Sequence, residues 1–556
     1  MSTFDLASVA GKQPPVDAVT DLLVVGAGPA GVAAALAAAD AAATAGGGVR
    51  VTLVDENPVP LKTMGEDVPL HFGGRMAATL GNRNVVLEHI LERNPQILEA
   101  IEAGVDVRLG TAVWGLFPPH PTAAWVDGSV AGLADHDSVY LMRFKQVVVA
   151  TGRRDMGLAF AGWQRPGVMG VSAAYRLASA YDALESKVAV LVGSDTDALW
   201  TADALAERGV RIEAVVEQSG QVVGSVDLLK RLTSRGTRVF TGCVVRDACG
   251  NASGVTGVEV GGVDGAGRWL GAGEGGERLL CDTVLLGVGA VPTIELLEAC
   301  GCEIGFQEER GGHVAVIDGA QRTSVPNVYV AGDCAGVWAS KTLSESVARR
   351  EGRIAARAAL RALGLEIGTS EADDEAAAEG TAGPVLPDRV VTVGFSTQRL
   401  GWVHASVLGS PEDIVVCQCE EVTAREILML RPPRYLGCPA DGAGRGGHCV
   451  PTNPDVVKRL TRAGMGPCQG RRCREQIAAL IALEAKIPLE DVPLATYRTP
   501  ARPLTLAQMA SLAESPSMAS HWDSWFGMPT QWVPFWRVQG DYTVATRDSG
   551  GPVGGE

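Results

Sequence analysis

The chain has 556 residues, 46% of them apolar, and a formal charge of -16. That length exceeds what a single hydrophobic core supports, so two or three domains are expected. The negative charge argues against nucleic acid and anionic lipid surfaces as partners, because the basic pairs Arg349-Arg350 and Arg471-Arg472 are too short to reverse it.

Leu22 to Ala39 is the stretch apolar enough to suggest a membrane span, but it is mostly Ala and Gly and contains Gly26-Ala-Gly28-Pro-Ala-Gly31. A strand, a glycine turn and a helix fit it better, so no transmembrane segment is expected. The first twenty residues lack a basic start followed by an apolar core, which predicts no signal peptide and a cytoplasmic location. Thiols there meet a reducing environment, where clustered cysteines read as metal ligands rather than disulfides.

In chain order, a strand at Asp21–Val25 runs into a helix from about Gly31 to Ala43, and a second strand, Val49–Val54, ends at Asp55. This is a βαβ unit. Gly26 permits the tight turn, Gly28 the approach of a pyrophosphate and Gly31 close helix–strand packing, while Asp55 can accept a ribose hydroxyl. A second unit starts at Val188-Ala-Val-Leu-Val-Gly193 and returns through Val210–Val216 to Glu217. Its turn, Gly193-Ser-Asp195-Thr-Asp-Ala198, puts a carboxylate where a pyrophosphate would approach, which opposes NAD binding. Glu217 would repel the 2′-phosphate of NADP, so any nucleotide bound there is NAD.

Apolar strands ending in glycine follow at Gln146-Val-Val-Val-Ala-Thr151-Gly152, Thr283-Val-Leu-Leu-Gly-Val-Gly289 and Asn327-Val-Tyr-Val-Ala-Gly332-Asp333. Buried parallel strands with ligand-facing turns have this form. The resulting division is a discontinuous first dinucleotide-binding domain (18–157 and 283–365), an NAD(P)-binding-like domain (158–282), an acidic linker (366–410), a cysteine domain (411–490) and a tail (491–556). Trp522, Trp525, Trp532 and Trp536 make the tail a subunit contact, since exposed tryptophans at that density are costly.

Within the cysteine domain, Val415-Val-Cys417-Gln-Cys419 reads as a strand end with both thiols on one side. Thr423 and Glu426 form a capping box, and Cys468 and Cys473 precede a helix at Glu475–Ala485. Helix N-termini favour an anionic centre on Cys417, Cys419, Cys468 and Cys473. The Cys-x-Cys spacing fits a [2Fe–2S] cluster better than structural zinc, which stays open as the rival metal. Cys438, His448 and Cys449 lie in a Gly/Pro-rich insertion read as a plain loop. Cys243, Cys249, Cys281, Cys300, Cys302 and Cys334 read as packing residues. No cysteine precedes Cys243 and no Cys-x-x-Cys pair occurs, which argues against disulfide-reductase chemistry. The eight histidines are scattered, and no catalytic acid or base is assigned.

The Val330-Ala-Gly332-Asp333-Cys-Ala and Ala150-Thr151-Gly152 motifs resemble those of glutathione-reductase-like flavoproteins with two dinucleotide-binding domains. That resemblance implies an FAD ribityl contact for Asp333. Arg462-Ala-Gly-Met-Gly-Pro-Cys468-Gln-Gly-Arg-Arg-Cys473 resembles the second half of the α-helical bacterioferritin-associated-ferredoxin-like (BFD-like) [2Fe–2S] domain. The order of parts over about residues 18–505, with Pro166-Gly-Val168 and Arg498-Thr-Pro-Ala-Arg-Pro-Leu504, resembles the A or α-type flavoprotein subunits of opine oxidase, hydrogen cyanide synthase, and heteromeric proline or sarcosine oxidoreductases. The likeness implies an α/β electron-transfer subunit carrying FAD and a [2Fe–2S] cluster. A second flavoprotein subunit would carry the amine-oxidising site, with small additional subunits in some assemblies. An NADH-dependent reductase feeding a ferredoxin-like or oxygenase partner is the alternative, which flavin bleaching by NADH would favour. A cofactor-retaining scaffold or redox sensor is the non-catalytic alternative.

Overall fold

The computed structural model describes residues 14–46, 48–59, 82–120, 126–270, 276–338, 341, 344–365, 367, 394–430 and 452–516, and the backbone of 543–545 and 552–554. The acidic run at 371–387, Cys438, His448, Cys449 and the tail tryptophans Trp522, Trp525, Trp532 and Trp536 lie outside the described residues.

Leu22–Val25 is apolar on both faces and wholly buried, as the centre of a covered parallel sheet must be. It lies in the middle of a five-stranded parallel sheet ordered Val328–Val330, Gln146–Val149, Leu22–Val25, Val51–Asp55, Asp106–Leu109. Helix Pro29–Thr44 follows the first strand, with Pro29 at its first turn where a missing N–H costs nothing. Its alanines let helix Glu345–Ala362 approach closely, and a methyl group on Gly352 would strike the Ala30 carbonyl. A mixed four-stranded sheet (Ala18–Val19, Val139–Phe144, Ser129–Ala134, Ala112–Phe117) packs beside this unit.

The second parallel sheet runs Val168–Gly170, Thr283–Leu286, Val188–Val192, Arg211–Glu217, Arg238–Thr241. Thr283–Leu286 thus pairs with Val188–Val192, which corrects the expectation that the chain rejoins the first domain at residue 283. A buried apolar strand ending in glycine fits either sheet, and only its pairing decides which. The return comes at Ala290–Pro292, which pairs antiparallel with the outgoing Arg153–Asp155. A three-stranded antiparallel sheet (Cys243–Asn251, Gly254–Gly262, Glu277–Leu279) completes this region.

The C-terminal segments pack onto it. Helix Phe395–Val403 and the π turn His404–Leu408 share one apolar core with Met156, Phe160 and Trp163. Cys417, Cys473 and Ile477 belong to the same core. The Trp163 indole N–H donates to the Val415 carbonyl at 2.7 Å, and the Ala159 N–H to Gln476 Oε1 at 2.7 Å. No helix among the described residues is long and apolar enough to cross a membrane.

Candidate flavin site and cysteine cluster

At the first glycine turn, Gly26 has φ +109°, and a Cβ there would be driven into the Ala150 carbonyl. A Cβ on Gly31 would strike the Gly26 carbonyl oxygen. Gly28 is different: its φ of -73° suits any residue, and nothing lies within 4 Å of the position its Cβ would take. The turn is tight where it folds and open at the position expected to face a pyrophosphate. Asp55 lies beside it, accepting from Ala27 N–H at 2.6 Å and from Asn57 N–H and Nδ2 at 2.7 and 2.8 Å. Gly152, φ +73°, has the same open side. Thr151 Oγ1 donates to the Thr293 carbonyl at 2.9 Å, tying this turn to the returning chain.

Gly332, φ +77°, is gripped by a buried ion pair that sequence reading missed. Its N–H donates to Glu351 Oε2 at 2.8 Å, its carbonyl accepts from Lys341 Nζ at 2.7 Å, and Lys341 and Glu351 pair at 2.7 Å. No local sequence pattern marks these two residues, since a lone Lys and a helix Glu read as surface charges. Asp333 follows in the 3-10 turn Gly332–Ala335, caps no helix, and faces Arg153 Nε at 3.4 Å. The tandem Arg153-Arg154 directly after the Ala-Thr-Gly turn was the readable signal for that contact.

At the second nucleotide turn, Gly193 has φ +105° and closes against the Gly287 carbonyl. Here the approach is covered. Asp195 caps helix Thr196–Glu207, accepting from Ala198 N–H at 2.7 Å, so its carboxylate takes a place a phosphate would use. Gly224 presses on the backbone of Ser194, Asp195 and Thr196 so closely that even a methyl group there would collide. Glu217 is fully buried and accepts from Ser194 Oγ at 2.6 Å and Ser219 N–H at 2.9 Å. The carboxylate expected to meet a ribose therefore faces inward instead.

Burial, reinforced by neighbouring Asp197, pushes the Asp195 carboxyl up to about 7. A raised folded-state value means that the folded form keeps its proton longer. The contribution of this group to stability is therefore greatest below its ordinary 3.8 and declines as pH rises from there to about 7. The decline is at most ~1.4 kcal/mol per pH unit. Asp195→Asn, which keeps the cap, is expected to flatten it. Urea midpoints of wild type and variant at roughly pH 5 and pH 8 check this, and an equal pH dependence in both proteins would refute it.

In the cysteine region, Cys417 ends strand Val415–Cys417, and the chain reverses at once so that Cys417 pairs with Val422. Cys419 sits not in the strand but in that turn, where Glu421 has φ +53° and the chain reverses into the Thr423–Glu426 capping box, and its thiol lies on the same side as that of Cys417. Cys473 immediately precedes helix Arg474–Ala485. The four thiols form a chain: Cys417 faces both Cys473 and Cys419, and Cys419 Sγ lies 3.4 Å from Cys468 Sγ. Among the described residues, no three His, Cys, Asp or Glu side chains are already arranged as a metal cage. Arg472 is buried, stacks on the Trp163 ring at 4.7 Å, and holds Nε and Nη2 without a hydrogen-bond partner among the described residues.

A buried ionic network joins the two regions. Arg154, two residues beyond Gly152, contacts Glu295 at 3.2 Å and Glu475 at 2.8 Å, and Glu475 is two residues beyond Cys473. Arg474 pairs with Glu298 and lies over the Tyr497 ring at 4.0 Å. Of the other cysteines, Cys281, Cys300, Cys302 and Cys334 are buried, whereas Cys243 and Cys249 are only partly so.

Two parallel nucleotide-type sheets, each with a glycine turn after its central strand, define an α/β flavoprotein with two dinucleotide-binding domains, an FAD-dependent oxidoreductase. Residues 20–358 match the pyridine nucleotide-disulphide oxidoreductase family, and residues 452–513 match the sarcosine oxidase A3 domain. The chain is 30% identical to an opine oxidase subunit of Rhizobium meliloti over 88% of this chain and 87% of that protein. It is 24% identical to hydrogen cyanide synthase subunit HcnB of Pseudomonas protegens over 81% and 89%. L-proline dehydrogenase from P. horikoshii shares the fold with a TM-score of 0.56 at 18% identity, over 89% of this chain and 81% of that one. The chain belongs to the pyridine nucleotide-disulphide oxidoreductase family and, within it, to the FAD-dependent oxidoreductase subunits that include this opine oxidase component.

Proposed function

We propose that the chain is the electron-transfer flavoprotein and iron–sulfur subunit of a heteromeric dehydrogenase or oxidase. Its substrate class is the C–N bond of a secondary amine, imino acid, opine or related amino acid. One observation carries the reading. An open dinucleotide turn and a four-thiol set, bridged by the Arg154–Glu475 contact at 2.8 Å, lie in one chain related over most of its length to the opine oxidase subunit of Rhizobium meliloti.

Gly26, Gly28, Gly31, Asp55, Thr151, Gly152, Gly332 and Asp333 would hold FAD, which supplies reversible two-electron acceptance. In this reading the FAD unit spans 18–157 and about 290–365. The second unit, 158–289, keeps the fold without taking NAD, because Asp195 and Gly224 occupy the approach to its turn.

Cys417, Cys419, Cys468 and Cys473 would hold a [2Fe–2S] cluster in a BFD-like domain. Thiolates at about 2.3 Å from one tetrahedral metal lie about 3.8 Å apart, close to the Cys419–Cys468 spacing. The partnerless buried atoms of Arg472 suit an anionic group beside these thiols. Zinc meets the same distances, so iron analysis discriminates the two.

In this reading a second flavoprotein subunit would carry the amine-oxidising site, and the chain itself would pass on the electrons. The purified chain is expected to give no substrate-dependent dye reduction with small amines or imino acids, and co-expression with the partner to restore it. Turnover by the chain alone would overturn the subunit reading.

A further inference from the structure

We propose that Arg153 is a positioning residue that sets the charge at the flavin, and that the second nucleotide-type unit holds it there through Asp197. The inference rests on the assignment of FAD to the Gly26–Gly31 turn and Asp333.

Arg153 follows Gly152, whose open left-handed turn leads the chain out of the first sheet, and it begins the crossover strand Arg153–Asp155. Its side chain is 18% exposed. Its two polar arms diverge, with a terminal nitrogen 2.9 Å from Asp197 Oδ1 and Nε 3.4 Å from Asp333 Oδ2. Asp155, the nearest acid in sequence, lies near enough to act on Arg153 electrostatically, while its Oδ2 accepts from the Ser172 and Ala173 N–H groups at 3.0 and 3.3 Å. One guanidinium therefore spans from the proposed ribityl ligand to the first turn of helix Thr196–Glu207.

That helix terminus is closed to a nucleotide by Asp195, yet its dipole still favours a carboxylate at Asp197. In the proposed reading this unit takes no nucleotide, and it serves instead as the fixed arm for a cation beside the flavin turn. Reduced flavin carries more negative charge than oxidised flavin, and a cation held in a water-poor site stabilises it. Arginine suits the role because it stays charged and bridges two carboxylates with separate donors.

The test uses purified holoprotein and equilibrium titration of the flavin against reference dyes. FAD is first verified in wild type from its visible absorbance, since its absence there would be a failure of the parent assignment alone. Arg153→Gln is expected to lower the midpoint potential, with the reduced-to-oxidised ratio at a fixed poise falling roughly tenfold, about 30 mV for a two-electron couple. Arg153→Lys, which keeps the charge, is expected to stay near wild type. An unchanged potential in Arg153→Gln, or equal shifts in both variants, overturns the proposal. Should Arg153→Gln release FAD, the same comparison is read as affinity: retention by Arg153→Lys supports the assignment, and equal loss in both overturns it. Asp197→Ala tests the holding role in a double-mutant cycle. It is expected to shift the potential of wild type but not that of Arg153→Gln. Additive shifts, or no shift in either background, would refute action through Arg153.

Discussion

Gly28→Val is expected to yield a folded protein without flavin. Gly28 sits at φ -73° and ψ 179°, a conformation a β-branched residue adopts freely, and a Cβ added there meets no protein atom within 4 Å. The fold has no reason to object. The branched methyl groups would instead enter the space proposed for the pyrophosphate, and the turn N–H groups that should cradle it would be shielded. Flavin content after gel filtration should fall below about a tenth of wild type, since each tenfold loss of affinity needs only ~1.4 kcal/mol. Circular dichroism and the urea midpoint should stay close to wild type. Gly26→Val is the contrast: with φ +109° and the Ala150 carbonyl in the way, it should impair folding itself. Normal flavin content in soluble Gly28→Val protein would remove the basis for placing FAD at this turn.

Cys468→Ser is expected to abolish the iron–sulfur centre and leave flavin in place. Anaerobically purified wild type should contain about two irons per chain with a paramagnetic signal on reduction, and the variant close to none. The substitution is small and the site is buried, so loss of folding is not expected from volume alone. FAD content provides the internal control, because the glycine turn and Asp333 follow strands of the first parallel sheet, whereas the thiols lie around strand Val415–Cys417 and the start of helix Arg474–Ala485. Stoichiometric zinc without iron in wild type would replace the cluster by a structural metal. Unchanged iron in Cys468→Ser would remove Cys468 from the ligand set and reopen the choice among the thiols.

Residues close in the chain were legible because their physics is local. The strand, glycine turn and helix from Leu22 to Thr44 follow from a continuous apolar run, a proline at the helix start and a helix-favouring alanine tract. The Thr423–Glu426 capping box is a four-residue pattern, and the fold contains it. The carboxylate at Asp195 could be read as an obstacle to phosphate from charge alone.

Relations between distant segments were decided only by the tertiary structure. Thr283–Leu286 joins the second sheet because it pairs with Val188–Val192, and its own composition suits either sheet equally. Glu217 ends its strand like a ribose-binding acid, yet Ser194 and Ser219 draw it into the core. Lys341 and Glu351 become a buried clamp on Gly332 only once helix Glu345–Ala362 lies against helix Pro29–Thr44. Arg153 acquires meaning from Asp197 and Asp333, which are remote from it in sequence. Sequence by itself determined the elements around the two glycine turns and the cysteine spacing, because backbone conformation and short-range charge act within a few residues. Helix Phe395–Val403 and the turn after it, in the span read as a linker, are held instead by packing into the core. Which sheet each strand enters, which carboxylates turn inward and which arginine reaches Asp333 were settled by packing, since burial makes a charge seek whatever partner the fold brings within reach.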